Sequence, residues 1–177
     1  ATDLLGVCVF CQGENYKLQT ATYRAAQDAR AALRYMAANA DTYGIDTAWL
    51  FAGGESAGSI TAMHATFWSQ QEANVFASWA AGEVGLLDTA GNALPNNYTI
   101  KGVIDNCGAV SRDTIVLNNG NIPVISFHDE NDCVVPTHTA QVISCTCSAF
   151  YWAAGSSTIH SRMEDAGMCH EMNLVPV

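Results

Sequence analysis

Positive charge is scarce in this chain. Only 7 of its 177 residues are Lys or Arg, against 17 Asp and Glu, so the formal net charge is −10. A phosphate backbone would be repelled by such a surface, which excludes nucleic acid as a partner. The basic residues Arg24, Arg30 and Arg34 fall on one apparent helix and read as a solvated face rather than a binding stripe. Charged residues of either sign make up 14% of the sequence, below the roughly 25% of an average soluble protein. With 49% hydrophobic residues the chain is not disordered. Long apolar runs are also missing. Nothing approaches the ~18 residues of a membrane span, and no secretory hydrophobic stretch stands at the start. Proline occurs 4 times, which excludes a proline-rich or collagen-like chain.

Cysteine, by contrast, is plentiful. Seven residues are an odd number, so at least one has no partner within this sequence. Cys8 and Cys11 have CxxC spacing without a second pair to complete a zinc site, and Cys145 and Cys147 stand too close together, so no metal is expected. The cysteine count and the low Lys content together favour an oxidising, secreted or periplasmic setting. Asn97-Tyr98-Thr99 fits a glycosylation sequon, which by itself means little.

The length predicts one domain spanning 1–177. Residues 4–10 (LLGVCVF) read as a strand. Ala26, Ala29, Leu33, Met36 and Ala40 step by three and four, the spacing of one helix face. Thr20 or Thr22 can cap that helix, and Tyr43-Gly44 ends it. Residues 47–52 read as a second strand, 57–70 as a helix, 100–105 and 122–127 as further strands, and 157–166 as a helix that stops at Gly167. Residues 168–177 complete the pattern as a last strand, and 137–154 read as helical. The segment 74–97 begins with a short helix and is the place for a lid or loop insertion. Strands and helices in this alternation predict an α/β fold with a mostly parallel sheet and helices on both faces. Chemistry in such sheets gathers at the carboxyl ends of the strands.

Directly after the second strand stands Gly54-Glu55-Ser56-Ala57-Gly58. A G-x-S-x-G run between a strand and a helix is the setting of a nucleophilic serine. The sharp turn exposes the hydroxyl above the sheet, and the helix N-terminus adds positive potential. The amide of Ala57 points to where an ester carbonyl would become an oxyanion. Such a serine needs a base and an orienting acid, in the chain order Ser, Asp or Glu, His. The loop after the 122–127 strand, His128-Asp129-Glu130-Asn131-Asp132-Cys133-Val134-Val135-Pro136, supplies the acid. Asp132 is the candidate, while Asp129 and Glu130 read as solvated.

Taken together, residues 20–63, with their YR, Ala-Leu-Arg, Tyr-Gly-Ile-Asp and Gly-x-Ser-Ala-Gly elements, resemble the carboxylesterase-type α/β-hydrolase family. Residues 122–136 resemble that family's H-G-x-x-D-x-x-V-P loop, with Asp129 in place of the glycine. The resemblance places Ser56 on the family's nucleophile and Asp132 on its acid. It implies an ester hydrolase working through an acyl-serine, with no metal and no organic cofactor. Short-chain, aromatic (feruloyl) and polymer-linked esters all fit the family as substrates.

Two family parts are not found. The His-Gly-Gly oxyanion loop is missing, and only one strand precedes the nucleophile strand. Either residues 4–10 occupy the slot beside that strand, with Cys11-Gln12-Gly13 forming the second half of the oxyanion hole, or upstream residues lie outside this sequence. The base is the second gap. His170 alone has the right chain position. In the family, however, the histidine follows the last strand, which here would put it beyond Val177 and leave His170 at the strand's amino end, ~20 Å from the acid loop. A Cys133–Cys169 disulfide would accompany His170 as base, because a bridge needs Cα atoms ~4.4–6.8 Å apart. Of the remaining histidines, His128 is expected to bond the acid loop and His138 to lie near the top of the sheet. His64 is expected to be packed and His160 to lie on the surface. If base and oxyanion loop are truly lacking, the chain is either an inactive binding protein on this fold or a fragment of a longer esterase.

Overall fold

The protein is described here from a computed structural model covering residues 15–145 and 150–176. The expected strand over 4–10, the oxyanion candidates Gln12 and Gly13, and Cys8, Cys11 and Cys147 lie outside the described residues.

Helix α1 (Asn15–Ala38) and the single turn α2 (Ala40–Tyr43) lead to strand β1 (Leu50–Glu55). Gly44 ends the turn in the left-handed conformation, at φ 66°. Helix α3 (Ala57–Phe67) follows β1, and the short helices α4 (Gln70–Phe76) and α5 (Ala80–Val84) come next. Strand β2 (Ile100–Asn106), the two-residue β3 (Ala109–Val110) and a 3-10 turn (Asp113–Leu117) precede β4 (Val124–Asp129). Strands β5 (Thr139–Gln141) and β6 (Trp152–Gly155), helix α6 (Ser156–Asp165) and strand β7 (His170–Val175) complete the order. The main sheet is parallel throughout, in the order β1-β2-β4-β7, and β3-β6-β5 form a small antiparallel sheet. No described helix is long and apolar enough to cross a membrane.

The expected α/β class holds, with two corrections. The first concerns the two faces of the sheet. Asp105 and Ser126 are register partners on one face. Ser59 of α3 and Ser156 of α6 bond to Asp105, and His160 of α6 bonds to Ser126, so both helices cover that face. The alternate positions carry Phe51, Ile104 and Phe127, which are 62%, 49% and 41% exposed. Among the described residues, then, these helices lie on one face rather than on both. The second correction is the segment 137–154, read as helical from its apolar content. It forms β5 and β6 instead. Ile143 sits at φ 61°, which no right-handed helix accepts, and Cys145 is bonded to Cys133.

Helix α1 buries Tyr23, Ala26, Gln27, Arg30, Ala31 and Arg34. Arg24 is exposed, but Arg30 and Arg34 are not the solvated pair expected from the sequence. The Arg30 guanidinium donates to both carboxylate oxygens of Asp88, to the Ala65 carbonyl at 2.9 Å and to the Trp68 carbonyl. Arg34 donates to Asn92 Oδ1 at 3.0 Å and to the Ala90 carbonyl at 2.8 Å. Gln27 reaches the carbonyls of Val84, Gly85 and Leu86, and Trp79 Nε1 donates to Thr20 Oγ1. These bonds hold the segment expected to act as a lid against α1.

Candidate active site

A sharp turn joins β1 to α3 at Ser56. Ser56 adopts φ 52° and ψ −119°, a conformation that costs a non-glycine residue on the order of 1–3 kcal/mol. The Ser56 amide donates to the Asn106 carbonyl at 2.8 Å, which pins the bend to the end of β2. The Ile60 amide donates to the Ser56 carbonyl at 3.0 Å and starts the helix. A Cβ on Gly54 would collide with the Gly58 carbonyl group and lie 2.7 Å from the Ser59 nitrogen. Position 54 therefore needs glycine so that helix and strand can approach. A Cβ on Gly58 would meet nothing.

Asp132 lies at the same carboxyl edge of the sheet. Glu55 pairs with Asn106, Asn106 with Phe127, and Phe127 with Asn173, so β1 and β2 end together while β4 and β7 run two residues further, to Asp129 and Val175. Ser56 follows β1, and Asp132 follows β4 two strands away, a lateral step of about 10 Å at ordinary strand spacing. One oxygen of Asp132, Oδ1, accepts the Val134 and Val135 amides at 2.8 and 3.0 Å. These bonds anchor the carboxylate and fix its direction, while Oδ2 stands 3.6 Å from His128 Nε2.

Beneath the acid loop lies a buried polar network centred on Asp105. Its Oδ1 accepts the Ser59 hydroxyl, and its Oδ2 accepts Ser126 at 2.7 Å and Ser156 at 2.9 Å. A Cβ on Gly108 would run into Asp105 Oδ1 and the Ser59 side chain, so glycine leaves the room this contact uses. His128 is fully buried, with Nδ1 2.7 Å from Ser156 Oγ and Nε2 2.8 Å from the Val135 carbonyl. It bonds the acid loop, as its position suggested.

His170 is not brought to Asp132. It pairs with Val124 at the start of β7, five residues before the Val175–Asp129 pair, which is about 16 Å down the sheet. Its Nδ1 lies 3.0 Å from Nδ1 of His160. His160 is buried rather than on the surface, and its Nε2 donates to Ser126 Oγ at 2.7 Å. Burial, helped by His170, lowers its pKa from 6.5 to about 4. His64 is packed as expected, and His138 is exposed. The disulfide expected with His170 is also different. Cys133 is bonded to Cys145, with Cα atoms 5.3 Å apart, and Cys169 is an exposed free thiol. Both corrections have one cause. The 168–177 segment runs as a parallel strand from the far end of the sheet, so its first residues are the ones most distant from the acid.

The residue that sequence reasoning passed over is Cys107. It follows β2 at φ 51°, and its amide donates to the Phe127 carbonyl at 2.8 Å. Burial raises the pKa of its thiol, and the carboxylates of Asp132, Asp105 and Glu55 add to the rise. Ligand-type atoms of Cys107, His128 and Asp132 lie within 4.8 Å of one another. The nitrogen of His128 that faces the group, however, is committed to the Val135 carbonyl. Two surface hollows, one lined by Asp113, His138 and Arg162 and the other by Arg30, Trp68 and Asp88, include neither Ser56 nor Asp132.

A family model, BD-FAE, matches residues 11–116, more than half of the chain. No curated protein matches the sequence. Among solved structures, a truncated form of a carbohydrate esterase from gut microbiota is similar, with a TM-score of 0.51 and 16% identity. The match covers 85% of this chain, which spans 59% of that one. A likeness at that identity speaks for the fold.

Proposed function

The chain belongs to the BD-FAE family, a carboxylesterase-type α/β-hydrolase domain, and from that premise we propose that it carries the nucleophile and the orienting acid of a serine esterase. Ester hydrolysis in general is the activity of the family. The finer reading assigns Ser56 as nucleophile and Asp132 as the acid that orients the base. The Ser56 hydroxyl attacks the ester carbonyl, the base takes its proton, and the alcohol leaves with that proton to give an acyl-serine. Water then releases the acid by the same steps. The Ala57 amide, at the start of α3, is one donor to the developing oxyanion. The observation that carries this reading is the strained Ser56 backbone between β1 and α3, at the same carboxyl edge of the sheet as an anchored carboxylate two strands away.

The base in this proposal is an imidazole standing between Ser56 and Asp132. His128 is enclosed beneath the acid loop, and His170 is at the far end of β7. The substrates are short-chain, aromatic or polymer-linked esters, among which carbohydrate esters have the support of the similar structure.

The test is hydrolysis of p-nitrophenyl acetate by this chain and by Ser56→Ala, each with and without added millimolar imidazole. We expect turnover that depends on Ser56 and rises with imidazole. Equal rates for the two proteins under both conditions would refute the reading and favour an inactive binding protein on the same fold.

A further inference from the structure

Asp105, Ser156 and His128 connect the nucleophile helix to the acid loop through the protein interior, and the proton count along this path is restrictive. Ser156 has one hydroxyl hydrogen, which it donates to Asp105 Oδ2 at 2.9 Å. Its oxygen then accepts from His128 Nδ1, 2.7 Å away. At the other side of the ring the Val135 carbonyl, 2.8 Å from Nε2, has no hydrogen to give, so Nε2 must carry one. The ring thus has N–H groups on both sides. Its positive charge is matched by Asp105 across one hydroxyl and by Asp132 Oδ2 at 3.6 Å. The only other arrangement with the same bonds moves one proton through Ser156 to Asp105. In either form Asp105 and His128 hold two protons between them, one fixed on Nε2 and one shared through Ser156.

We propose that His128 is a positioning residue for Asp132, held by Asp105 through Ser156, and that Asp105 thereby sets the acid loop and the nucleophile helix in one frame. The same carboxylate accepts Ser59, three residues after Ser56 and one helical turn into α3. His128 Nε2–H fixes the Val135 carbonyl, and Asp132 Oδ1 accepts the Val135 amide, so both sides of that residue are tied to the acid's orientation. None of these groups touches an ester. They determine where Asp132 Oδ2 points, and the tolerance is narrow, since misplacement of a reacting group by ~1 Å can cost about 100-fold in rate.

The proposal rests on the esterase reading for its consequence but not for its proton count, and the experiment has an arm for each. Long-range proton–nitrogen NMR of the folded chain should show both His128 ring nitrogens protonated, or one proton exchanging with Asp105, and this signature should be lost in Ser156→Ala. For activity, two substitutions divide the ring's contacts. His128→Gln keeps an amide donor near the Nε2 position, toward Val135. His128→Asn keeps one near Nδ1, toward Ser156. Well below each variant's melting temperature, and in the presence of the added imidazole of the esterase assay, we expect His128→Asn to lose kcat by about tenfold or more with KM within about twofold, and His128→Gln to recover most of it. An unprotonated His128 Nε2 overturns the proposal, as does an equal loss of kcat in both variants. If the unsubstituted chain shows no Ser56-dependent turnover, the esterase reading fails, and the NMR arm still decides the positioning network.

Discussion

Acid should destabilise this protein well above the pH at which carboxylates titrate, and His64 is the reason. The side chain is 1% exposed, on the third turn of α3. Its Nε2 accepts the Ser111 amide at 2.9 Å, so Nδ1 carries the hydrogen and donates to the Ile60 carbonyl at 2.7 Å. The Trp68 ring centroid is 4.0 Å away, and Phe76 stacks behind it. A second proton would displace the Ser111 amide and put a charge among aromatic rings. Burial accordingly lowers the pKa from 6.5 to about 4, against a smaller rise from the Ile60 carbonyl. Between those values the unfolded chain binds a proton that the folded chain refuses. Stability is therefore undiminished above pH 6.5 and falls as the pH drops toward 4. At ~1.36 kcal/mol per unit, the 2.5 units amount to roughly 3 kcal/mol, a large share of the 5–15 typical of a domain. Urea unfolding followed by tryptophan fluorescence, at intervals from about pH 7.5 to about pH 4.5, measures this slope. In His64→Gln the protein should be weaker at neutral pH, and its loss of stability over the same interval should be smaller by roughly 2.5 kcal/mol. The same slope in both proteins would show that His64 does not carry the effect. His160, lowered by burial and by His170, contributes in the same direction and remains in the variant.

Two further outcomes follow from the packing. Arg34→Ala should cost about 2–4 kcal/mol in urea or thermal unfolding, because its loss leaves buried carbonyls without a donor, and Asp88→Ala should cost about 1–3 kcal/mol, because it is the counter-ion of the buried Arg30 and Arg34 although its own carboxylate is 44% exposed. Gly54→Ala should lower Ser56-dependent turnover by at least about tenfold even where the fold survives, since the added Cβ pushes the start of α3 away from β1. Fluorophosphonate labelling of Ser56 by intact mass checks this, and a variant labelled at the unsubstituted rate would refute the steric account.

The elements that local chemistry controls were legible in the chain. Gly54-Glu55-Ser56-Ala57-Gly58 carries its bend locally, because only glycine at position 54 fits against the Gly58 backbone where strand and helix converge. Asp132 followed by Val134 and Val135 specifies a loop in which a carboxylate is held by the next two amides but one, a contact made within four residues. The parallel order of strands also followed from their alternation with helices. Other features depend on partners distant in sequence. Arg30 and Arg34 looked solvated until residues 88–92 covered them. His160 looked exposed until Ser126 and His170 met it. Segment 137–154 had helical content, but the Cys133–Cys145 bond and its pairing with β3 made it a small sheet. The buried network through Asp105 joins residues 59, 105, 126, 128 and 156, and no local pattern announces it. Register decided the fate of His170. Chain order alone made it the base, but a parallel strand carries its first residue to the edge opposite its last, and β7 enters the sheet from the side away from Ser56 and Asp132.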